Sequence, residues 1–467
     1  MLGHFFYLFK LGMKEILEDI KDKVVKWLRY FLSCVIIILK EAKMDKEKDR
    51  VYFVIDMKSF FASVECAERG LNAMTTKLVV ADESRTEKTI CLAVSPAMKA
   101  LGVKNRCRLF EIPKNIEYII APPRMKKYIA YTAKIYDMYL HYIAKEDIYQ
   151  YSIDECFIDV TDYLRIYKTK AKDFAKKLID EIWEKFGIPA SCGIGTNMYL
   201  AKIALAITAK KAPDRIGWLT EEKFKKELWH HKPLTDFWRI STGTVNRLAK
   251  YGIYDMYGIA TCNEDLLYNE FGINAELLID HSKGIETALM KDVQNYTSKS
   301  KSISNSQILA EPYNYKDARI VIDEMIQEGC YRLNKEHYIT PLIHIYIGYQ
   351  DEEMVGDKGT KRLNNATNLP SKILPEALKL YDEIVDKDKE VRRLGYDFAA
   401  LISDEYEQGD LFTDYTKQKK EKNLLNSVLD IKEKFGKNAI LRGIDLHEKA
   451  TQRERNEQVG GHKGGES

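Results

Sequence analysis

Residues 51–65, VYFVIDMKSFFASVE, decide the fold class of this sequence. The first five residues are β-branched or aromatic, which predicts a buried strand. Asp56 ends the strand, and the residues after it have helical character. A carboxylate at the carboxyl end of a buried strand, where the chain turns into a helix, is a common position for a ligand in α/β layers. The stretch therefore predicts a strand–helix unit with Asp56 as a candidate site residue.

A second stretch, IYQYSIDECFIDV at residues 148–160, predicts two strands joined near Ser152–Glu155. Consecutive side chains on a regular strand point to opposite faces. Asp154 and Glu155 can therefore serve one centre only at a turn or a strand end, where this alternation breaks. The apolar runs on either side favour that placement.

The elements around these two stretches follow a known order. Residues 171–186 predict an amphipathic helix, residues 191–195 a glycine-broken strand, and a helix carrying Lys202 comes next. Strand–helix, hairpin, helix and strand in this order make a split βαβ layer of the ferredoxin type. The predicted fold class is therefore α+β, with the three acidic side chains converging on one sheet.

Three carboxylates that converge in a partly buried place repel one another and need cations or protons between them. Two divalent ions roughly 3.5–4 Å apart would neutralise the acids together with a bound triphosphate. Mg²⁺ suits such a site because it binds a few carboxylates, phosphate oxygens and water. Lys99 and Lys202 are basic residues nearby in the sequence that complete a phosphate site. Each residue alone has a plainer explanation: a cap for Asp56, a solvated hairpin tip for Asp154–Glu155, and a surface position for Lys202.

The composition of the 467 residues is that of an ordinary globular protein. With 45% hydrophobic and 31% charged residues, wholesale disorder is excluded. The 73 Lys and Arg nearly balance the 70 Asp and Glu, so net charge argues neither for nor against nucleic acid as a partner. Eight scattered cysteines without a CxxC pair indicate reduced thiols and no zinc site, which favours a cytoplasmic protein.

Residues 1–49 form an N-terminal extension that is predicted to be helical, because apolar residues recur at helical spacing from 16 to 39. The apolar run 31–39 is too short to span a bilayer, and no cleavage site follows it. No stable membrane insertion is therefore expected. Two interpretations of residues 1–43 stay open: an upstream choice of start codon, which we favour because Met44 opens a natural-looking start, or a helix for a partner or a membrane surface.

Together these segments resemble the Y-family (UmuC/DinB-like) translesion DNA polymerases, most closely the UmuC-like branch of Gram-positive bacteria. The resemblance spans roughly residues 51–412. Its most specific feature is the combination of Asp-Met-x-Ser-Phe-Phe with the Ser-Ile-Asp-Glu hairpin. The matching segments are VIDMKSFFASVE (54–65), AVSPAMKALG (93–102), YSIDECFID (151–159) and CGIGTNMYLAKIA (192–204).

The resemblance implies a right-hand polymerase: an α+β multidomain fold with a ferredoxin-like palm, small fingers, a helical thumb with a helix-hairpin-helix, and an α/β little-finger domain. The helix-hairpin-helix is expected at residues 237–253, where Ser241 replaces a usual glycine and a plain αα-turn is the alternative. The last eight residues are expected to be disordered. The implied boundaries are 50–68 and 123–210 for the palm, 69–122 for the fingers, 211–290 for the thumb, 291–300 for a linker, 301–405 for the little finger and 406–467 for a tail.

The metal site is implied residue by residue. Asp56, Asp154 and Glu155 match the family's metal-binding catalytic acids. The backbone carbonyl of Met57 matches a further metal ligand, and two Mg²⁺ ions are expected. Lys58 departs from the pattern, since many relatives carry a second acid at its position.

The nucleotide site is implied in the same way. Phe61 matches the steric gate that excludes ribonucleotides, with a plain core phenylalanine as the alternative. Lys99 and Lys202 match contacts to the triphosphate of the incoming dNTP. Pro96 stands where some relatives place a tyrosine over the triphosphate, which puts that contact in doubt.

Residues 408–412, QGDLF, resemble the peptide by which bacterial polymerases bind the sliding clamp. Leu411 and Phe412 are adjacent apolar residues in a polar tail and suit a preformed apolar pocket, with Gln408 bonding at its edge. The alternative is that both apolar residues dock onto their own last domain.

The predicted function is template-directed DNA synthesis past damaged bases and in DNA repair, with primer–template DNA, dNTPs and the sliding clamp as partners. Two other functions stay open. A non-catalytic DNA- and clamp-binding accessory protein would have no reason to keep all three acids with Lys202. A nucleotide cyclase also uses a palm-like layer with two metals, but the long C-terminal half and the thumb-like hairpin argue against it.

Overall fold

A computed structural model describes most of the chain after the N-terminal extension. The predicted helix within residues 1–49 and the QGDLF segment lie outside the described residues. The described part divides into unit 1, made of residues up to 74 and 132–295, and unit 2, made of residues 75–131 and from 296 onward. The described residues are 50–85, 88–298, 300–350, 356–406 and 414–465.

The strands, in chain order, are β1 (Tyr52–Met57), β2 (Leu78–Val80), β3 (Ala93–Val94), β4 (Ile119–Ala121), β5 (Ile148–Gln150), β6 (Glu155–Asp159), β7 (Ala190–Gly195), β8 (Ile216–Leu219), β9 (Ile303–Tyr313), β10 (Tyr338–Tyr349), β11 (Gly356–Thr367), β12 (Val391–Ala399), β13 (Ile402–Ser403), β14 (Gln458–Val459) and β15 (His462–Lys463).

The α-helices are α1 (Phe60–Glu68), α2 (Pro96–Ala100), α3 (Met125–Leu140), α4 (Thr161–Ile166), α5 (Ala171–Phe186), α6 (Met198–Ile203), α7 (Glu221–Leu228), α8 (Thr242–Ala249), α9 (Met256–Thr261), α10 (Glu264–Phe271), α11 (Asn274–Ser282), α12 (Met290–Gln294), α13 (Tyr315–Lys335), α14 (Pro370–Ile384), α15 (Tyr415–Phe435) and α16 (Gln452–Asn456). Over the described ranges, every helix is too short or too polar to cross a membrane.

Unit 1 is built on a five-stranded sheet in the order β5–β6–β1–β7–β8. The central β1 is antiparallel to both β6 and β7, while β8 runs parallel to β7. The first four residues of β1 are at most 1% exposed, as its apolar sequence predicts. The predicted strand–helix, hairpin, helix and strand order is therefore present, with the end of β1 in the middle of the sheet.

Two glycines bring α6 unusually close to this sheet. A Cβ added at Gly193 would lie 2.1 Å from the carbonyl oxygen of Ala201, and one added at Gly195 would lie 2.2 Å from its nitrogen. Both glycines are two residues apart on β7 and so face the same side. The helix that carries Lys202, α6, therefore packs directly on the glycine-broken strand predicted from the sequence.

The remainder of unit 1 includes a helical subdomain at residues 221–282, comprising α7 to α11 and their connections. Ser241 is the N-cap of α8 and accepts a hydrogen bond of 3.2 Å from the N–H of Thr244. A serine in place of the expected glycine is explained by this role, because a serine side chain satisfies a helix N–H that glycine leaves open. Gly252, in the turn between α8 and α9, has a φ of 72°.

Among its described residues, unit 2 contains three sheets, the smallest of which is the hairpin β14–β15. A small sheet has the order β3–β2–β4, and a four-stranded antiparallel sheet has the order β11–β10–β12–β9. The helices α13 and α14 pack on the larger sheet around a core of isoleucine, leucine, valine and aromatic side chains. This α/β arrangement is the one predicted for the last folded domain.

The C-terminal segment of residues 414–465 is folded and forms part of unit 2. Arg442 lies 2.7 Å from the carboxylate of Asp323 on α13 and 3.1 Å from that of Asp445. The terminal hairpin β14–β15 places the Lys463 ammonium 2.8 Å from Asp82. The disorder expected for the last eight residues is therefore wrong for residues 460–465, because polar side chains, rather than an apolar pattern, hold the segment.

Candidate active site

The acidic residues meet where the strands β1 and β6 are paired. Asp56 and Glu155 are direct partners in this antiparallel ladder, so their side chains leave the sheet on the same face. The N–H of Met57 donates a 2.9 Å hydrogen bond to the carbonyl oxygen of Asp154, which precedes β6. Four of the predicted site residues are thus fixed by backbone pairing at one end of two adjacent strands.

The tip of the hairpin is held by side chains as well as by the ladder. The hydroxyl of Thr132, on α3, donates a 2.6 Å hydrogen bond to the carbonyl oxygen of Ile153. The Ser152 hydroxyl lies 2.6 Å from a carboxylate oxygen of Asp154, to which it donates. Asp154 therefore sits in a turn with a fixed backbone, where the alternation of strand side chains is broken as the sequence requires.

Glu155 is the most buried of the three acids, at 7% exposure. Burial raises the pKa of the Glu155 carboxyl above its ordinary value, and the nearby charge of Asp154 adds to this. The Lys202 ammonium opposes the shift by bonding both carboxylate oxygens of Glu155. The site thus keeps one buried carboxylate beside one partly buried lysine.

The chemistry of these side chains fits a hard divalent cation. Asp56, Asp154 and Glu155 offer carboxylate oxygens, and Met57 a backbone carbonyl, which are the donors that Mg²⁺ prefers. Ser191, the partner of Asp56 on β7, has a buried hydroxyl without a hydrogen-bond partner among the described residues. In the described ranges, no group of three or more His, Cys, Asp or Glu side chains is arranged so that it could hold a metal ion by itself. Mg²⁺ does not need such a protein-only cluster, because it usually binds one or two carboxylates and completes its shell with water and substrate phosphate.

The remaining predicted site residues are placed in different parts of the structure. Phe61 is the second residue of α1, is half-buried, and has its ring centre 5.9 Å from that of Phe60. Lys202 lies with the acids in unit 1. Lys99 is an exposed residue of α2 and belongs to unit 2, so the structure does not assign it to the same site. The three clamp-motif residues lie outside the described ranges.

Sequence reasoning missed two aromatic residues beside the acids. The Tyr151 ring centre is 5.1 Å from the Lys202 ammonium. The indole N–H of Trp238, in the helical subdomain, lies 3.3 Å from the Tyr151 hydroxyl. Tyr151 is part of the hairpin motif and could have been noticed there. Trp238 has no local signal, because it lies 87 residues away from Tyr151 in the sequence.

Two family models match the chain: the impB/mucB/samB family at residues 55–206 and the C-terminal domain of that family at residues 300–411. The chain is 31% identical over 414 residues to the putative UV-damage repair protein UvrX of Bacillus subtilis, covering 88% of this chain and 96% of that protein. It is 31% identical over 420 residues to DNA polymerase IV 2 of the same organism, covering 89% of this chain and 99% of the relative.

A solved structure of a Y-family DNA polymerase chimera, Dbh-Dpo4(243-245)-Dbh, has the same fold. Its TM-score is 0.61 at 22% identity, and the match covers 76% of this chain and 99% of that one. The predicted α+β right-hand fold class is therefore confirmed, and so is the predicted family. From the matched length and identity of its relatives, the chain belongs to the Y family of DNA polymerases.

Proposed function

We propose that this chain is a template-directed DNA polymerase that extends primers in translesion synthesis and DNA repair. The observation that carries the proposal is the pairing of Asp56 with Glu155 across β1 and β6, with Asp154 at the adjoining turn and Lys202 on Glu155. The relatives' names, a UV-damage repair protein and a DNA polymerase IV, support the same activity. DNA is accordingly its substrate, and damaged primer–template DNA the form it would bind.

Membership of the family implies dependence on a divalent metal ion. We assign two Mg²⁺ ions to Asp56, Asp154, Glu155 and the carbonyl of Met57. Bound there, the ions would stabilise charge on the transferring phosphoryl group of a dNTP. Lys202 contributes a fixed positive charge beside the acids, which suits a triphosphate oxygen.

The remaining assignments complete the proposal. The palm comprises residues 50–68 and 123–210. Lys99, from the fingers at residues 69–122, would contact the triphosphate, and Phe61 would exclude the 2′-hydroxyl of ribonucleotides. The protein would act in the cytoplasm and bind the sliding clamp through Gln408, Leu411 and Phe412. The thumb at residues 211–290, the linker at 291–300, the little finger at 301–405 and the tail at 406–467 follow from the same family plan.

The decisive experiment is extension of a primed template with Mg²⁺ and dNTPs. Asp154→Ala should lower the rate at least about a hundredfold, because it removes a carboxylate that holds charge at the reacting phosphoryl group. Binding of primer–template DNA should be retained, since the duplex is held mainly through backbone contacts elsewhere.

Asp162→Ala is the matched control, because Asp162 is an exposed acid on α4 that pairs with Arg165 one turn along the helix. It should extend primers at the wild-type rate. Near wild-type extension by Asp154→Ala would contradict the assignment of the site. Failure of the wild-type protein to extend any primer would contradict the proposed function.

A further inference from the structure

Trp238 lies between the helical subdomain and the sheet of unit 1. Its indole packs against apolar cores on both sides, and its ring centre is 6.0 Å from that of the buried Phe157 on β6. Arg239, the next residue, has a φ of 67° and places its guanidinium 4.7 Å from the Trp238 ring centre. A non-glycine residue in this region costs about 1 kcal/mol or more and persists only where its surroundings hold it. The indole is therefore held firmly at this junction.

Besides Phe157, Trp238 contacts Tyr151, at the tip of the acidic hairpin. The two rings meet edge to face, with centres 6.0 Å apart and an interplanar angle of 81°. The indole N–H donates to the Tyr151 hydroxyl over 3.3 Å. Tyr151 in turn packs against Phe157, with ring centres 5.5 Å apart. The tyrosine ring is thus oriented from the helical subdomain as well as from β6.

Lys202 contacts the face of the Tyr151 ring as well as the carboxylate of Glu155. The ammonium lies 5.1 Å from the ring centre, within the range of a cation–π interaction, and bonds the carboxylate of Glu155 on its other side. Glu155 is also an assigned metal ligand. A lysine held by Glu155 alone would have no fixed position whenever that carboxylate is engaged with a metal ion, whereas the Tyr151 ring is neutral and keeps its contact.

We infer that the Trp238–Tyr151 pair positions Lys202 for the incoming dNTP, and so links the helical subdomain to nucleotide binding. Neither aromatic residue is placed on the reacting atoms. Tyr151 acts by keeping the ammonium at the edge of the acidic site, and Trp238 acts by orienting Tyr151. This inference rests on the proposed function, because it needs Lys202 to contact the triphosphate.

Two conservative variants test the pair. Trp238→Phe keeps an aromatic ring and removes the N–H donor, and Tyr151→Phe keeps the ring over Lys202 and removes the acceptor. Each should raise the KM for dNTP about threefold with kcat nearly unchanged, since both remove one weak hydrogen bond. The double variant should be no worse than either single one, because the same bond is lost. Tyr151→Leu, which removes the aromatic face, should raise KM about tenfold.

A second measurement does not depend on turnover. The equilibrium affinity of dNTP for a complex with a dideoxy-terminated primer should weaken by the same factors in these variants. In the Lys202→Met background, both aromatic substitutions should leave that affinity unchanged, because their effect passes through the lysine. A purely structural role would instead lower the Tm and weaken binding equally with or without Lys202.

Two controls lose similar hydrogen bonds elsewhere. The indole N–H of Trp229 donates to Ser282 over 2.9 Å within the helical subdomain, and the hydroxyl of Tyr163 donates to Asp147 over 2.7 Å. Trp229→Phe and Tyr163→Phe should leave the KM for dNTP unchanged.

The inference is overturned if folded Trp238→Phe and Tyr151→Phe keep the wild-type KM, if their effects multiply in the double variant, or if they persist without Lys202. In those cases the wild-type protein would still extend primers and Asp154→Ala would not, so the proposed function would stand. Loss of the difference between wild type and Asp154→Ala would contradict the proposed function itself.

Discussion

Phe61 and Phe60 begin α1 side by side but have different surroundings. Phe60 is 3% exposed and belongs to the core, as most phenylalanines do, whereas Phe61 is half-buried and stands five residues after Asp56 in the sequence. A half-buried ring near the end of β1 has apolar area left to contact a ligand. This difference favours the steric-gate role over the plain core role for Phe61.

Phe61→Ala should raise incorporation of ribonucleotides relative to deoxyribonucleotides by well over tenfold, about 1.4 kcal/mol or more. The reason is steric, because a ring against the sugar leaves no room for a 2′-hydroxyl. The measurement is the ratio of kcat/KM for rNTP and dNTP on one primed template. Phe110→Ala serves as the control, since Phe110 is an exposed phenylalanine of unit 2. Unchanged sugar discrimination in folded Phe61→Ala would assign the ring to the core.

At the scale of elements, the site depends on how closely α6 approaches β7. Gly193 and Gly195 leave no side chain between the strand and the helix, so the backbone of α6 lies directly on the sheet. Asn197 caps α6 by accepting a 2.8 Å hydrogen bond from the N–H of Leu200. The N-cap of α6 and the lack of side chains at the two glycines of β7 together determine where Lys202 meets Glu155.

Gly195→Ala should lower the free energy of unfolding by about 3 kcal/mol, because the added methyl group would meet the α6 backbone. The rate of nucleotide addition should fall as well, since α6 carries Lys202. Unfolding in urea and primer extension measure the two effects. Gly243→Ala is the matched control: its new Cβ would lie 3.6 Å from the nearest atom, in a helix, so it should be neutral or stabilising by up to about 1 kcal/mol. Equal stability of the two variants would contradict the close packing of α6.

Elements of the site are predictable from the sequence to different degrees. Asp56, Asp154 and Glu155 each lie next to a short apolar run, so local patterns suffice to place them at the ends of paired strands. The contact between Lys202 and Glu155 spans 47 residues, and that between Trp238 and Tyr151 spans 87 residues. Such contacts arise only when separate elements pack, which is why periodicity does not indicate them.

At the scale of the molecule, the C-terminal segment is the part that the sequence predicted least well. Its contacts with the rest of unit 2 include long-range polar ones: Glu324 on α13 accepts hydrogen bonds from the N–H groups of Thr451 and Gln452, over 2.9 and 3.2 Å. Arg442 compensates two further buried acids of this region. Contacts of this kind join residues far apart in the sequence, so no local pattern indicates them.

The clamp motif lies between two described parts of unit 2, a short turn that ends at Tyr406 and α15, which begins at Tyr415 and has Asp414 as its N-cap. The motif is thus flanked in the sequence by described residues of unit 2 on both sides. Adjacent apolar residues such as Leu411 and Phe412 in a polar segment are suited to insertion into an apolar pocket of a partner.

Replacing both Leu411 and Phe412 by alanine should abolish binding to the sliding clamp and the stimulation of synthesis by the clamp, while primer extension without clamp continues at the wild-type rate. The reason is that the two apolar anchors supply most of the binding energy, and the acids and Lys202 are untouched. Clamp affinity by titration, and extension with and without clamp, give the two readouts.

The matched control for this double variant replaces Leu424 and Phe435 of α15 by alanine, since these are also an exposed leucine and phenylalanine, 64% and 67% exposed. It should bind the clamp normally, because exposure alone does not make an apolar residue a clamp anchor. Wild-type clamp affinity after loss of Leu411 and Phe412 would eliminate the motif. Loss of clamp-independent extension in the same variant would instead show that the two residues dock onto their own domain. Residues that only bind the clamp would not affect DNA synthesis in its absence.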